Sequence, residues 1–356
     1  MPRLPVAGVL GGQSVATTVD SPIAKYYLEH YLRGDRSNHE FDRAISEVLQ
    51  EPAADPSDAA ALTRLSRRFS ADFATIYFAA RLYDMPANHR AHDAFHAHLR
   101  QLTASAAGRT VPAPNTRESY LFAFVPGYVY KKDRTTGADF ARQREIMTQF
   151  GFQTLLIETN EIGSVEANSA IVANQILRLT RQHHRLILIS ASKGSPEVAL
   201  ALGERLSAEQ LRDVHAWISV GGLLRGSPYA DQALRWPRRW LAQTVLAFQG
   251  LPPSVIKDMS TAVRNAVFGR LKFPPHILML QYVGAPLSGH IVSSTKSRYD
   301  ALRPLGPNDG LTLLADELIP GGIAVTDVGL DHYYRDPVIE RKTLALAYVV
   351  LDELGP

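Results

Sequence analysis

A serine in a tight turn of small residues, Ser192, is the strongest candidate for chemistry in this sequence. It follows the apolar run Leu186–Ile189, which is typical of a strand buried on both faces. Ser190 and Gly194 flank it two positions before and after, and a helical pattern follows the turn. A strand, a sharp turn and a helix can hold a serine hydroxyl clear of the sheet edge as a nucleophile. The alternative is an ordinary helix N-terminus that Ser192 or Ser195 caps.

Asp309 and His332 are the candidate acid and base that would activate this serine. A serine hydroxyl needs a base to take its proton, and the base needs a carboxylate to orient it. When the serine comes first in the chain, an acid and then a histidine should follow, each in a loop after a strand. Asp309 comes after a strand ending near Val283, and His332 after one ending near Thr326. The sequence therefore predicts a triad of Ser192, Asp309 and His332.

Each of these two partners also has a simpler interpretation. Asp309 lies in an Asn-Asp-Gly turn, where local backbone hydrogen bonding favours aspartate. His332 could be a surface histidine beside Asp331. Asp331, Asp327 and Asp316 are weaker candidates for the acid, and adjacency to the histidine usually points a side chain such as that of Asp331 elsewhere.

Two backbone amides are the candidate donors to the oxyanion that forms when the serine attacks. One belongs to Lys193, directly after the nucleophile at a helix start, where the helix dipole assists. The other belongs to the loop after the strand Tyr120–Val125, with Tyr128 preferred over Gly127. A glycine lets the backbone approach closely there, although an ordinary turn also explains Gly127.

An alternation of strands with helices of a dozen or more residues must position these side chains. Such an alternation predicts a parallel sheet with right-handed crossovers. The predicted strands are Tyr120–Val125, Phe152–Ile157, Leu186–Ile189, Val214–Val220, His276–Val283 and Gly322–Thr326. A long loop is predicted after Val283, and a final helix covers Pro337–Leu354.

The chain is predicted to have a helical N-terminal region, residues 1–112, before the sheet-forming domain, residues 113–356. Four helices are expected in the N-terminal region, and the third runs unbroken from Ser57 to Leu82. Residues 223–275 interrupt the alternation with an apolar helical insertion. This insertion is interpreted as additional core packing, or as a lid or acyl-binding wall, and the two interpretations are compatible.

Four histidines on the fourth predicted helix raise the question of a metal site: His89, His92, His96 and His98. The first three share one face and could bind a metal. However, three ligands on one helix splay too far to close easily on one ion, and no glutamate accompanies them as in H-E-x-x-H. An exposed polar face is the favoured interpretation, and neither a metal nor a cofactor is predicted.

Composition excludes several classes of protein. The formal net charge of the 356 residues is +3, and the basic residues are scattered, which favours solvated helix faces over a nucleic-acid track. No apolar run approaches the roughly 20 residues that span a bilayer. Because the chain has no cysteine, disulfides and thiolate metal sites are excluded. The apolar patch Leu4–Leu10 could be the remnant of an export signal, so the compartment stays open.

Four short motifs together resemble those of the α/β-hydrolase superfamily, in its lipase and esterase branch. They are Val-Pro-Gly-Tyr at 125–128, Ser-Ala-Ser-Lys-Gly at 190–194, Asn-Asp-Gly at 308–310 and Leu-Asp-His at 330–332. Residues 226–231, Gly-Ser-Pro-Tyr-Ala-Asp, are similar to a segment seen in that branch. The resemblance implies the α/β-hydrolase fold, a mostly parallel sheet with helices on both faces, and an acyl-serine intermediate on Ser192 with His332 as base and Asp309 orienting it.

The chain departs from the superfamily pattern in three places. Ser190 replaces the first glycine of the nucleophile turn, and Pro126-Gly127 replaces the usual His-Gly before the oxyanion loop. The helical N-terminal region takes the place of the usual opening strands. None of these departures forbids catalysis.

The predicted activity is hydrolysis of a small-molecule or lipid-like carboxylic ester, with no nucleic-acid partner and no membrane span. The alternatives are an amide or thioester hydrolase with the same triad and a non-catalytic scaffold or binding protein. Ser190 to Lys193 also matches the S-x-x-K motif of penicillin-recognising enzymes, but the S-D-N and K-T-G motifs that should accompany it are absent. The acyl chain length and the oligomeric state are not predicted.

Overall fold

The strands of the fold are defined in a computed structural model that describes residues 3–50, 55–105, 120–133, 137–235 and 253–355. They are β1 Leu4–Leu10, β2 Gln13–Val19, β3 Tyr120–Val125, β4 Gln153–Leu156, β5 Arg185–Ala191, β6 Val214–Val220, β7 Leu278–Ala285 and β8 Ile323–Val328. Six of them form one sheet with the order β4-β3-β5-β6-β7-β8, and the paired strands from β4 to β7 run parallel. The parallel sheet predicted from the alternation is confirmed.

Thirteen α-helices are found in the described residues. They are α1 Pro22–Glu29, α2 His39–Gln50, α3 Ala59–Arg68, α4 Ala71–Asp84, α5 Pro86–Ser105, α6 Ala141–Gln149, α7 Val165–Arg181, α8 Gly194–Leu200, α9 Pro228–Leu234, α10 Pro253–Asp258, α11 Thr261–Phe268, α12 Ser293–Leu302 and α13 Ile339–Leu354. Within the described ranges, no helix combines the length and apolarity that crossing a membrane requires.

The central strand β5 has an apolar sequence without alternation because it is buried on both faces. Its four residues Leu186–Ile189 are completely buried, so both faces of the strand are covered. Burial of each such side chain contributes about 1.5–3 kcal/mol to folding. The strand before the turn at residue 192 is therefore held firmly by packing on both faces, and it fixes the position where the turn begins.

The N-terminal region opens with a hairpin that the sequence did not predict. Strands β1 and β2 pair antiparallel from Leu4↔Val19 to Leu10↔Gln13 and form a two-stranded sheet of their own. The turn is Gly11-Gly12, and both glycines have positive φ, a conformation that side chains disfavour. The patch Leu4–Leu10 is thus a strand with alternating burial.

The single third helix predicted from Ser57 to Leu82 is wrong, because two helices, α3 and α4, cover this stretch. Ser70 separates them: its backbone is extended, and its Oγ accepts a hydrogen bond from the Phe73 amide at 3.1 Å. This is a serine N-cap inside a continuous apolar pattern. The long loop predicted after Val283 also contains a helix, α12, which the polar composition of residues 293–298 concealed.

The described chain divides into two compact units. The first contains Met1–His92, Val283–Pro320 and Ala324–Arg335; the second contains Asp93–Tyr282, Gly321–Ile323 and Asp336–Pro356. The core of the first unit joins the N-terminal helices to apolar residues of the later segments, such as Val283, Leu314 and Val328. The predicted domains 1–112 and 113–356 stay a prediction.

The insertion predicted at residues 223–275 is described only in part. Helices α9, α10 and α11 lie within it, whereas the aromatic residues Trp236 and Trp240 lie outside the described residues. Asp231 joins α9 to α11 by accepting hydrogen bonds from the amide and the hydroxyl of Thr261, at 3.0 and 2.5 Å. A lid function for this insertion stays a prediction.

Candidate active site

Ser192 lies between β5 and α8 in a left-handed backbone conformation. Its φ is +49°, which is rare for any residue other than glycine and costs free energy that the surroundings must supply. The Ser192 amide donates to the Val220 carbonyl at 3.0 Å, and its carbonyl accepts from the Leu223 amide at 3.2 Å. These bonds attach the strained residue to the end of β6, and the Ser192 side chain is partly exposed.

Helix α8 begins without a side-chain cap, which contradicts the simpler interpretation of this turn. Lys193 is the N-cap residue, and no side chain accepts from the first amides of the helix. Ser195 is completely buried, and its Oγ is instead bonded to other hydroxyl groups. The strained serine is therefore not explained as a helix cap.

Ser190, at the position where the superfamily pattern has glycine, belongs to a buried hydroxyl network. Its Oγ accepts from the indole Nε1 of Trp217 at 2.8 Å and lies 2.9 Å from Ser195 Oγ. Ser219 donates to Ser195 Oγ at 3.0 Å. Because all four side chains are buried, these bonds satisfy polar groups that would otherwise be costly. A serine at position 190 thus has a structural role, because its hydroxyl accepts the hydrogen bond of the buried Trp217 indole.

Gly194 must be a glycine because of its neighbours. A Cβ there would lie 2.5 Å from the Pro126 carbonyl oxygen and 2.8 Å from that of Val125. The end of β3 therefore passes directly against the start of α8. This contact places the predicted oxyanion loop next to the turn that carries Ser192.

The amides of Lys193 and Tyr128, the two preferred oxyanion donors, have no acceptor within the described part of the chain. Among the described residues, neither the Lys193 amide nor the Tyr128 amide donates to another group. The Gly127 amide, in contrast, donates to the Ala138 carbonyl at 3.1 Å. A Cβ on Gly127 would lie 3.6 Å from the Cβ of Ser192, so this loop borders the serine. Of the two loop residues, Tyr128 is the one whose amide is available.

Asp309 and His332 form a hydrogen-bonded pair. The His332 Nδ1 lies 2.5 Å from Asp309 Oδ2, and the side chains are 8% and 1% exposed. The other carboxylate oxygen, Oδ1, accepts from the amides of Leu311 and Thr312, both at 2.8 Å. The His332 amide also donates to the Asp309 carbonyl at 2.9 Å. The turn predicted around Asp309 and a direct hydrogen bond between Asp309 and His332 are therefore both present, while their roles as acid and base stay a prediction.

The other carboxylates considered for the acid have different partners. Asp331 accepts from the Thr295 hydroxyl at 2.8 Å and from the Tyr333 amide at 3.1 Å. Asp327 accepts from the side chain of Gln13 at 3.3 Å. The expectation that Asp331 points its side chain away from the neighbouring histidine is confirmed.

Two buried acids have raised pKa values, one next to Lys193 and the other next to Asp309. Glu197, on α8, has its pKa raised to about 7 by burial, against the opposing charge of Lys193. Burial and the charges of Asp309 and Asp316 raise the pKa of Glu317 well above its ordinary value. These acids were missed in the sequence; the only signal was Lys193 and Glu197 at helical i,i+4 spacing within an apolar helix.

The four histidines of α5 do not share one exposed face. His92 is completely buried, its Nδ1 bonded to the Asn88 carbonyl at 2.8 Å and its Nε2 2.9 Å from the Thr326 hydroxyl. His98 lies 2.7 Å from Asp352. An exposed polar face is therefore wrong for His92, which helps to pack the helix. The described residues contain no group of three or more histidine, cysteine or acidic side chains arranged for a metal ion.

Solved structures of a carboxyl esterase and of a lipase are among those similar to this chain. A metagenomic carboxyl esterase shares 19% identity, covering 69% of this chain and 79% of its own, with a TM-score of 0.54. The mature form of a Bacillus licheniformis lipase shares 18% identity, covering 70% and 97% respectively, with a TM-score of 0.53. No protein-family model and no curated protein matches the sequence. The chain has the α/β-hydrolase fold seen in these carboxyl esterases and lipases.

Proposed function

We propose that the chain is a serine hydrolase that cleaves carboxylic esters through an acyl-enzyme on Ser192. The observation that carries this proposal is the strained conformation of Ser192, with φ at +49° directly after a fully buried strand. Strain of this kind is retained where it serves a function, and a nucleophile turn is such a place. The adjacent amide of Lys193, which donates to no group in the described ranges, supports the same interpretation.

In the proposed reaction, His332 takes the proton of the Ser192 hydroxyl as the oxygen attacks the ester carbonyl. Asp309 holds the Nδ1–H tautomer of His332 through the 2.5 Å hydrogen bond, so that Nε2 carries the lone pair. The amides of Lys193 and Tyr128 donate to the oxygen that becomes negative, a contribution of about 10²- to 10³-fold per donor. His332 then protonates the leaving alcohol, and water releases the acid by the same steps.

The similar solved structures support an ester substrate. One is named a carboxyl esterase and the other a lipase, and they share 19% and 18% identity with this chain. Leaving-group preference depends on pocket detail, so the same triad could act on amides or thioesters. No described feature favours those substrates.

A panel of p-nitrophenyl esters of rising acyl length, assayed with wild type and Ser192→Ala, tests the proposal. We expect hydrolysis and fluorophosphonate labelling by wild type and loss of both in the variant. Ser207→Ala, at an exposed serine of the same unit, is the control and should keep full activity. Activity that survives Ser192→Ala contradicts the mechanism, and a wild type that is neither active nor labelled favours a non-catalytic scaffold. Matched anilides separate amide from ester cleavage.

A further inference from the structure

A buried ion pair lies directly behind the turn that carries Ser192, and the proposed triad does not use it. Lys193 and Glu197 are 3% and 1% exposed, and the Lys193 Nζ donates to Glu197 Oε1. Asn168, on α7, donates to the same oxygen at 2.7 Å. Desolvation makes a buried ion pair weak support for stability. The nucleophile turn requires only the backbone amide of the residue after the serine, so its side chain needs another explanation.

Asn168 extends this pair to the loop between β4 and α7. Its Nδ2 also donates to the Asn160 carbonyl at 2.8 Å, and its Oδ1 accepts from the Asn160 amide at 3.1 Å. A Cβ on Gly163 would lie 2.8 Å from that Oδ1, so the loop closes tightly around the amide group. Asn160 is therefore held at a fixed distance from the start of α8.

The same loop also holds the segment after Tyr128. Glu161 accepts from the amides of Lys131 and Lys132 at 2.9 and 3.0 Å. The Tyr130 hydroxyl donates to the Thr159 carbonyl at 2.9 Å. Thr159 and Glu161 thus contact residues 130–132, just after Tyr128. Asn160, between them, is connected through Asn168 to Glu197 and the turn that carries Ser192.

We propose that residues 159–161, Asn168 and the Lys193–Glu197 pair form a brace that sets the spacing of the two oxyanion-hole amides. The proposal rests on the proposed function, because it assigns a role to groups around the same site. Lys193 acts twice: its amide donates to the oxyanion, and its side chain holds that amide in place. Glu197, Asn168 and Glu161 are positioning residues that act through Lys193 and Tyr128.

The spacing of two donors matters mainly in the transition state. A ground-state ester carbonyl is neutral, whereas the tetrahedral intermediate carries the charge that both amides must reach. A donor displaced by a fraction of an ångström therefore lowers kcat and leaves substrate binding nearly unchanged. A variant that is simply less well folded would instead have a lower melting temperature, and its folded fraction would bind the transition state as tightly as wild type.

Three variants test the brace at separate points: Lys193→Met, Asn168→Ala and Glu161→Ala. We expect kcat on a p-nitrophenyl ester to fall about 10- to 100-fold, with KM changed by less than about threefold. Affinity for a trifluoromethyl ketone, which forms a tetrahedral adduct, should fall by the same factor as kcat/KM. Glu197→Gln keeps an oxygen that can accept from Lys193 and Asn168 and should restore most of the activity lost in a Glu197→Ala variant.

Lys296→Met is the matched control, because Lys296 forms an i,i+4 pair with Asp300 at 2.8 Å on an exposed surface. It should leave kcat and ketone affinity unchanged. Folded brace variants with wild-type kcat and ketone affinity would overturn the brace alone. Variants that lose activity and melt at a lower temperature, but bind the ketone as tightly as wild type, would also overturn the brace, because their loss of activity would reflect unfolding. Wild type without Ser192-dependent hydrolysis would instead overturn the proposed function and the brace together.

Discussion

The Nδ1 of His332 lies 2.5 Å from Oδ2 of Asp309, while Oδ1 of the same carboxylate accepts two backbone amides. A carboxylate with three acceptor contacts is fixed in orientation, and it can only accept from the ring. The pair therefore selects the histidine tautomer in which Nδ1 carries the proton. This is the tautomer that a general base for serine requires.

Asp309→Asn should lower kcat/KM for ester hydrolysis by about 10³- to 10⁴-fold, because an asparagine amide can stabilise the wrong tautomer of His332. Steady-state kinetics on a p-nitrophenyl ester measures the loss. Asp331→Asn is the control, since its side chain bonds Thr295 and the Tyr333 amide instead. It should cost less than about tenfold, or about 1.4 kcal/mol. The reverse ranking of the two variants would identify Asp331 as the acid.

Gly194→Ala should lower kcat by at least about 100-fold, because the added Cβ would displace the backbone at Pro126 and with it the oxyanion loop. The Cβ would lie 2.5 Å from the Pro126 oxygen, which belongs to backbone and cannot rotate away. Gly34→Ala is a control of a different kind: no described atom lies within 4 Å of the added Cβ, but φ is +83°, so backbone strain should lower stability and leave kcat unchanged. Kinetics and melting temperature of both variants are compared. Unchanged kcat in a folded Gly194→Ala protein would contradict this contact.

Ser190→Gly, which restores the usual superfamily residue, should keep activity and lose stability. The indole of Trp217 would lose its acceptor, at a cost of about 1–3 kcal/mol for a buried donor left unpaired. Because Ser192 and Lys193 are untouched, kcat/KM should stay within about threefold, less than about 1 kcal/mol. Urea unfolding of Ser190→Gly, Trp217→Phe and the double variant measures the coupling. Strictly additive losses would show that the two side chains do not interact.

Apolar runs predicted the sheet well because burial on both faces leaves little choice of residue. The strand predicted at Leu186–Ile189 is found at Arg185–Ala191, and Val214–Val220 has the predicted bounds. Ser192, Asp309 and His332 could be selected as candidates because a strand end and a required chain order constrain their positions.

Features that depend on distant partners were not predictable in the same way. Ser70 interrupts a run of apolar residues, and besides capping α4 its Oγ lies 2.8 Å from the Oγ of Ser21, 49 residues earlier in the chain. Asp72 meets Ser288, 216 residues later in the chain, and no local pattern indicates that contact. Asn168 likewise has partners on other elements: it donates to the Asn160 carbonyl in the loop before α7 and to Glu197 on α8.

The N-terminal region should stabilise the segment that precedes Asp309, and Asp72→Ala tests this role. Asp72 is completely buried and accepts from the amide and hydroxyl of Ser288 at 2.8 and 2.6 Å, and from the Asp20 amide at 2.7 Å. Its removal leaves buried donors without an acceptor, at about 1–3 kcal/mol for each. Urea unfolding should therefore show a free energy of unfolding lower by at least about 1–3 kcal/mol. Asp84→Ala, at the exposed end of the same helix, should change stability by less than about 0.5 kcal/mol.

Glu317→Gln should flatten the dependence of stability on pH. Both carboxyl oxygens of Glu317 are buried without a hydrogen-bond partner among the described residues, and burial with the charge of Asp309 raises its pKa well above 4.5. The native protein therefore binds a proton that the unfolded chain releases above its ordinary pKa. Stability is fully present below that value and is lost as the pH rises through the folded pKa.

Glutamine resembles the neutral acid and cannot ionise, so the variant should match wild type at pH 4 and exceed it increasingly at higher pH. Urea unfolding of both proteins at pH 4, 6, 8 and 9 measures the difference, in which other titrating groups such as Asp72 and Glu197 cancel. Glu353→Gln, at an exposed position of α13, is the control and should give a curve parallel to wild type. Parallel curves for Glu317→Gln would show that this carboxyl is solvated or paired in solution.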